Sequence, residues 1–250
     1  MMLLKKNGLN ILLLSVLSLL LLSCATKETT ATAYSNENAN QIYQQGKGAI
    51  ADRNYSEAIK RFEALETQYP DDPRLENAEL NLIYAYYQKE DYKESAEVAK
   101  RFISLYPGSP HVDYALYMQG LALYHQNLGV FEKLFTLDLA TRDFTDMKEA
   151  YHSFYQLVID YPKSIYAPSA YQYVIYLRNA MALHELQVAQ YYYKRKAYVA
   201  SAERASNVIT HYDGTNSVKA ALKLLADSYH QLGDTKLERE TLRVIRYNQG

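Results

Sequence analysis

Tyr55-Ser-Glu-Ala-Ile-Lys-Arg-Phe-Glu-Ala-Leu-Glu-Thr-Gln-Tyr-Pro70 decides the fold, because the same pattern returns three times. Tyr92 to Pro107 reads YKESAEVAKRFISLYP, Met147 to Pro162 reads MKEAYHSFYQLVIDYP, and Tyr198 to Asp213 reads YVASAERASNVITHYD. Within each copy, small or apolar residues fall three and four apart, the spacing of one helix face, and a proline closes three of the four. An amphipathic helix that recurs in register is the mark of a helical repeat protein, in which each unit buries its apolar face against the next.

Working outward, each recurring helix has a partner before it. In the first unit Ile42, Gly46 and Ala49 form a stripe on a helix from about Ala39 to Arg53, Asn54-Tyr55 turns the chain, and Ala58, Phe62 and Leu65 line the return. Small residues at Gly46 and Ala58 predict a close antiparallel approach, with Phe62 filling the space between turns. Leu82, Tyr86, Tyr92, Ser95, Ala99 and Phe102 take the same roles in a second unit. A third begins near Asp113, with Gly120 at the small position. The fourth has a long first helix, from about Tyr166 to Lys194. The fifth carries Leu222, Leu225, Ala226 and Tyr229, a Gly233-Asp234 turn, then Glu238, Leu242 and Ile245. The fold class expected is all-α, an α-solenoid of about five tetratricopeptide-like helix pairs. First helices are expected to line a concave face suited to peptides or partner helices.

Composition agrees. Among 250 residues there are 26 Tyr and no Trp, while 9 Gly and 6 Pro leave little for tight turns. A formal charge of −1 lacks the basic footprint of a nucleic-acid binder. The one cysteine excludes an intrachain disulfide framework.

That cysteine has its own context. Lys5 and Lys6 precede an apolar run from Leu9 to Leu22, too short to span a bilayer comfortably. The layout is that of a secretory signal ending at Leu21-Leu22-Ser23-Cys24. It resembles a bacterial lipobox, with Leu22 bulkier than the usual occupant; the alternative is an uncleaved N-terminal anchor. The resemblance implies a diacylglycerol and an N-acyl chain on Cys24, several acyl chains being what stable anchoring requires. No aspartate follows in Ala25-Thr26, which by the lipoprotein sorting pattern favours the outer membrane. Removing the signal leaves 25 basic against 28 acidic residues. The expected division is therefore a signal peptide over 1–23 and a flexible lipidated tether over 24–38, of roughly 20 Å reach. Repeats 1 and 2 and the first helix of repeat 3 occupy 39–124, an insertion 125–146, and the remaining helices 147–250. The insertion mixes Val130, Phe131, Leu134, Phe135, Leu137 and Leu139 with charges; it either packs back on the solenoid or meets a partner.

Catalytic patterns are missing. His111, His125, His152, His184, His211 and His230 form no ligand pair at helical spacing, and His184-Glu185 lacks the second histidine of a zinc-protease helix. There is no phosphate loop and no Gly-x-Ser-x-Gly elbow. The expectation is a chain that is not an enzyme, with neither metal nor cofactor beyond the covalent lipid. The tyrosines admit two readings, as rings that substitute for Trp and Phe at helix contacts or as the wall of a peptide groove.

Leu82-Ile83-Tyr84-Ala85-Tyr86-Tyr87 and Asp113-Tyr114-Ala115-Leu116-Tyr117-Met118-Gln119-Gly120-Leu121 resemble signature segments of the BamD family, lipoproteins of the outer-membrane β-barrel assembly machinery. Arg142-Asp143, Tyr161-Pro162 and Tyr191-Tyr192 match as well, whereas Phe144 and Asp213 stand where the family usually has proline. The resemblance implies a lipid-anchored component at the periplasmic face of the bacterial outer membrane. Its C-terminal repeats would bind the barrel insertase subunit (BamA-like), alongside other assembly lipoproteins. Its N-terminal repeats would help recognise aromatic-ended signals of unfolded outer-membrane proteins. Arg204 matches a family arginine at the contact with the barrel subunit, and Tyr84, Tyr86, Tyr87, Tyr114 and Tyr117 are the groove candidates. The residues by themselves leave open a different periplasmic scaffold, serving a cell-wall or envelope-division complex.

Overall fold

A computed structural model describes residues 33–132 and 145–248. The described chain forms ten helices and no strand: α1 Ala39–Ala51, α2 Tyr55–Gln68, α3 Leu75–Gln88, α4 Tyr92–Leu105, α5 Val112–Glu132, α6 Thr145–Asp160, α7 Ala167–Lys194, α8 Tyr198–His211, α9 Val218–Leu232 and α10 Thr235–Tyr247. Each packs chiefly on its neighbours in sequence, giving five antiparallel pairs in an α-solenoid.

The register of the recurring segment carries through into burial. Counting from the first residue of α2, α4 and α8, and from Met147 in α6, three places are sealed in every copy. Ala58, Ser95, Ala150 and Ser201 occupy the first. Phe62, Ala99, Phe154 and Ala205 occupy the second, and Leu65, Phe102, Leu157 and Val208 the third, all at 0% exposure. Where the second place holds phenylalanine, the facing first helix supplies glycine. A Cβ on Gly46 would lie 2.8 Å from the Phe62 ring, and one on Gly120 2.7 Å from the Phe154 ring. Where it holds alanine, the facing helices α3 and α7 contain no glycine. In the first and third pairs the missing Cβ thus makes room for the ring, as close packing requires. The two serines are satisfied: Ser95 Oγ donates to the Ile83 carbonyl at 2.9 Å, and Ser228 Oγ donates to Ser201 Oγ at 3.1 Å.

Turns repeat as faithfully. Within the first, second, fourth and fifth pairs, one residue takes a left-handed backbone: Arg53 (φ 56°), Glu90 (φ 64°), Lys196 (φ 61°) and Gly233 (φ 73°). The amide after it returns to a carbonyl of the preceding helix: Asn54 to Ala49, Asp91 to Tyr86, Ala197 to Tyr192 and Asp234 to Tyr229, at 2.8–3.1 Å. The sequence signalled only the Gly233 case. Between pairs, Asp72, Ser109, Ser164 and Thr215 donate to the carbonyls of Tyr69, Tyr106, Tyr161 and Tyr212. The fourth turn forms without proline, since Gly214 takes φ 73° and Asp213 reaches back to Arg178 on α7.

Two boundaries differ from the sequence expectation. Residues 33–38, assigned to the tether, are fastened to α2. Arg61 lies over the Tyr34 ring at 4.1 Å and pairs with Glu37 at 3.0 Å, and the Tyr69 hydroxyl donates to the Glu37 carbonyl. An aromatic ring and a carboxylate beside an arginine are enough to order a polar segment. The helix expected to end at Tyr124 continues to Glu132, so part of the assigned insertion is helical. At the far end, α10 buries only Thr241; Leu237, Leu242 and Val244 stay over a third exposed, since among the described residues no further helix packs over them. Gly46→Ala and Gly120→Ala should each destabilise the chain by about 1–3 kcal/mol. Gly48→Ala, with open space around it, should be neutral or stabilising. Urea unfolding compares them, and equal stabilities would contradict the packing account.

Candidate functional site

The five tyrosines proposed for one groove are distributed over three environments. Tyr84 on α3 and Tyr114 near the start of α5 line an open groove of about 590 Å³, with His111, Asp113, Lys163, Ile165 and Tyr166 among its other walls. Ile165 is 83% exposed at its rim. Tyr117 stands next to it, its ring stacked on Tyr166 at 4.9 Å and its hydroxyl 3.0 Å from Ser169 Oγ. Desolvation holds the Tyr114 phenol well above its ordinary range, so it stays a neutral hydrogen-bond donor.

Tyr86 and Tyr87 face elsewhere, as adjacent helical residues must. The Tyr86 hydroxyl donates to Glu63 on α2. Tyr87 packs edge-on to Tyr92 at 5.5 Å and to His125 at 5.8 Å, while His125 stacks on Tyr92. Burial pushes the Tyr87 phenol up to about 12. The ladder continues through Tyr124, edge-on to Tyr173, and Tyr173, stacked on Phe154 at 4.6 Å. These rings join α3, α4, α5, α6 and α7 as helix contacts, whereas Tyr84 and Tyr114 line the open groove.

Arg204 lies far from the groove, on α8. Its Nη1 donates to both carboxylate oxygens of Glu185 on α7, at 3.0 and 3.2 Å. Glu185 is 14% exposed and Arg204 42%. One nitrogen serves the internal pair, which leaves the Nε edge of the fork for an outside acceptor. The bond to Glu185 raises the guanidinium pKa further. Beside the pair a recess of about 280 Å³ is lined by Lys148, His152, Arg178, Glu185 and His211. It sits at mid-α7, where α6 begins and α8 ends.

Sequence reasoning missed Glu185, His111, Lys163, Ile165 and Tyr166 as site residues. Glu185 was weighed only as half of a zinc motif; its pairing with Arg204 required knowing how α7 runs back along α8. The loop residues carried no periodic signal. Cys24, Phe135 and Arg142-Asp143 lie outside the described residues. Among the described residues, no three or more His, Cys, Asp or Glu side chains are grouped to hold a metal, and no helix is long and apolar enough to cross a membrane.

Residues 35–244 match the family model described as YfiO, outer membrane lipoprotein. The outer membrane protein assembly factor BamD of Neisseria meningitidis serogroup A is 34% identical over 241 residues, spanning 95% of this chain and 90% of that one. The chain belongs to the BamD family. Further members are similar: the BamD of Pasteurella multocida at 34% identity (84% of this chain, 81% of that one) and of Vibrio cholerae at 31% (84% and 87%).

This BamD-family chain offers a direct check on how its tyrosines divide. Tyr87→Ala removes two ring contacts inside the ladder and should lower stability by roughly 1–3 kcal/mol. Tyr84→Ala, at an open groove, should cost clearly less. Denaturation midpoints in urea decide it, and a larger loss for Tyr84→Ala would reverse the assignment.

Proposed function

We propose that this chain is a non-catalytic assembly factor of the outer membrane, a lipid-anchored scaffold that holds a β-barrel insertase subunit and presents unfolded outer-membrane proteins to it. The observation that carries the reading is the family match along almost the whole described chain, together with relatives named outer membrane protein assembly factor. A solenoid suits a scaffold: its surfaces recognise, and its stacked pairs hold the surfaces apart.

Two surfaces divide the work. The groove at Tyr84, Tyr114 and Tyr166 has the chemistry for an extended, aromatic-ended segment, with ring faces for stacking and Lys163 and His111 beside them for a terminal carboxylate. Arg204, braced by Glu185 and open along one edge, suits a carboxylate on the barrel subunit. Cys24 carries the lipid, keeping the chain on the periplasmic face of the outer membrane.

Arg204→Glu places like charges together and should reduce recovery of the barrel subunit by roughly tenfold or more in a pull-down from gently solubilised membranes. Photocrosslinking from position 84 should trap unfolded outer-membrane proteins. Crosslinks from positions 84 and 204 to peptidoglycan-associated proteins would instead support a cell-wall scaffold. Cys24→Ser should abolish lipid labelling and release the chain from the membrane fraction; undiminished labelling would refute the anchor.

A further inference from the structure

Where α2, α3 and α4 pack together, two carboxylates share one guanidinium. Arg101 on α4 donates through Nε to Glu79 Oε1 at 2.8 Å and through Nη2 to Glu66 Oε1 at 2.9 Å. Glu79, on α3, is 4% exposed, and its second oxygen, Oε2, is buried with no hydrogen-bond partner. A desolvated carboxylate oxygen that accepts nothing is strongly disfavoured, and native structures rarely leave one so.

The surroundings are acidic on every side. From α2, Glu63 faces the cluster and accepts the Tyr86 hydroxyl of α3. Glu76 of α3 accepts from Ser109 at 2.6 Å, Glu94 of α4 lies by Tyr86, and Tyr106 at the end of α4 completes the ring. Arg101 is the one cation among them, and it is already divided between two acids. Glu66 and Glu79 therefore meet at one guanidinium, their Oε1 atoms 2.9 and 2.8 Å from its Nη2 and Nε.

We propose that Glu66 and Glu79 bind one proton between them in the folded chain, carried by Glu66 and accepted on Oε2 of Glu79, and that this proton helps close the seam between the first two helix pairs. It satisfies the orphan oxygen, and it leaves one carboxylate to balance Arg101. Burial, then the Glu79 charge, raises the Glu66 carboxyl from 4.5 to about 7 against the opposing pull of Arg101. The folded chain therefore holds more protons than the unfolded chain between those values. The stability contributed by this group is full below about 4.5, declines as pH rises, and is gone above about 7.

Hydrogen exchange of the full-length chain in detergent, corrected for intrinsic rates, tests the proposal at amides of α3 and α4. Between pH 5 and pH 8 their opening equilibrium should increase roughly ten- to a hundredfold. Glu66→Gln keeps a neutral donor for Glu79 and should flatten that dependence, while amides of α9 respond alike in both chains. Carbon-detected NMR of the Glu66 carboxyl in the unmodified chain reads the proton directly and does not depend on the variant folding. A carboxyl fully ionised at pH 5.5, or a pH dependence of the seam that Glu66→Gln leaves unchanged, would overturn the shared proton.

Discussion

The distance between the two helices of a pair is the constraint from which the rest of this solenoid follows. Gly46 under Phe62 and Gly120 under Phe154 set it in the first and third pairs; Ala99 and Ala205 take the ring's place in the second and fourth. In all four pairs the place is sealed from solvent, and successive pairs stack on one another. A ring facing a methyl group, or a glycine facing an alanine, would open a gap or force a clash.

Most of this was legible in the residues because it is local and periodic. The Tyr55–Pro70 pattern identified second helices, their proline ends and the glycines opposite phenylalanine. What escaped the pattern depends on partners distant in sequence or on backbone geometry that any residue can adopt. Arg53, Glu90 and Lys196 take the left-handed conformation that only Gly233 advertised. The pinning of residues 33–38 arises from Arg61, more than twenty positions away. For the candidate site, the sequence named tyrosines without separating them, and Tyr84, Tyr86 and Tyr87 differ in surroundings only through the face each occupies.

The buried polar groups sort by the same logic. Ser95 and Ser228 donate within the core, and Ser201 accepts from Ser228. The carboxylates at the first seam do not balance, because helices α2 and α3 both present acids to a single arginine. An imbalance at a repeat junction ties its geometry to solution conditions in a way that an apolar junction is not tied.

The apolar core runs unbroken from Ala39 to Met181 and then divides into smaller clusters around Ala182 and Ala189, so the break falls in the middle of α7. That helix alone belongs to both sides. Tyr166, at its head, stacks in the wall of the groove, and Glu185, nineteen residues on, grips Arg204. At 1.5 Å per residue the two points are roughly 28 Å apart on one rigid rod. A tilt of that rod displaces both ends together, so the groove and the Glu185–Arg204 pair share a lever even though they share no contact.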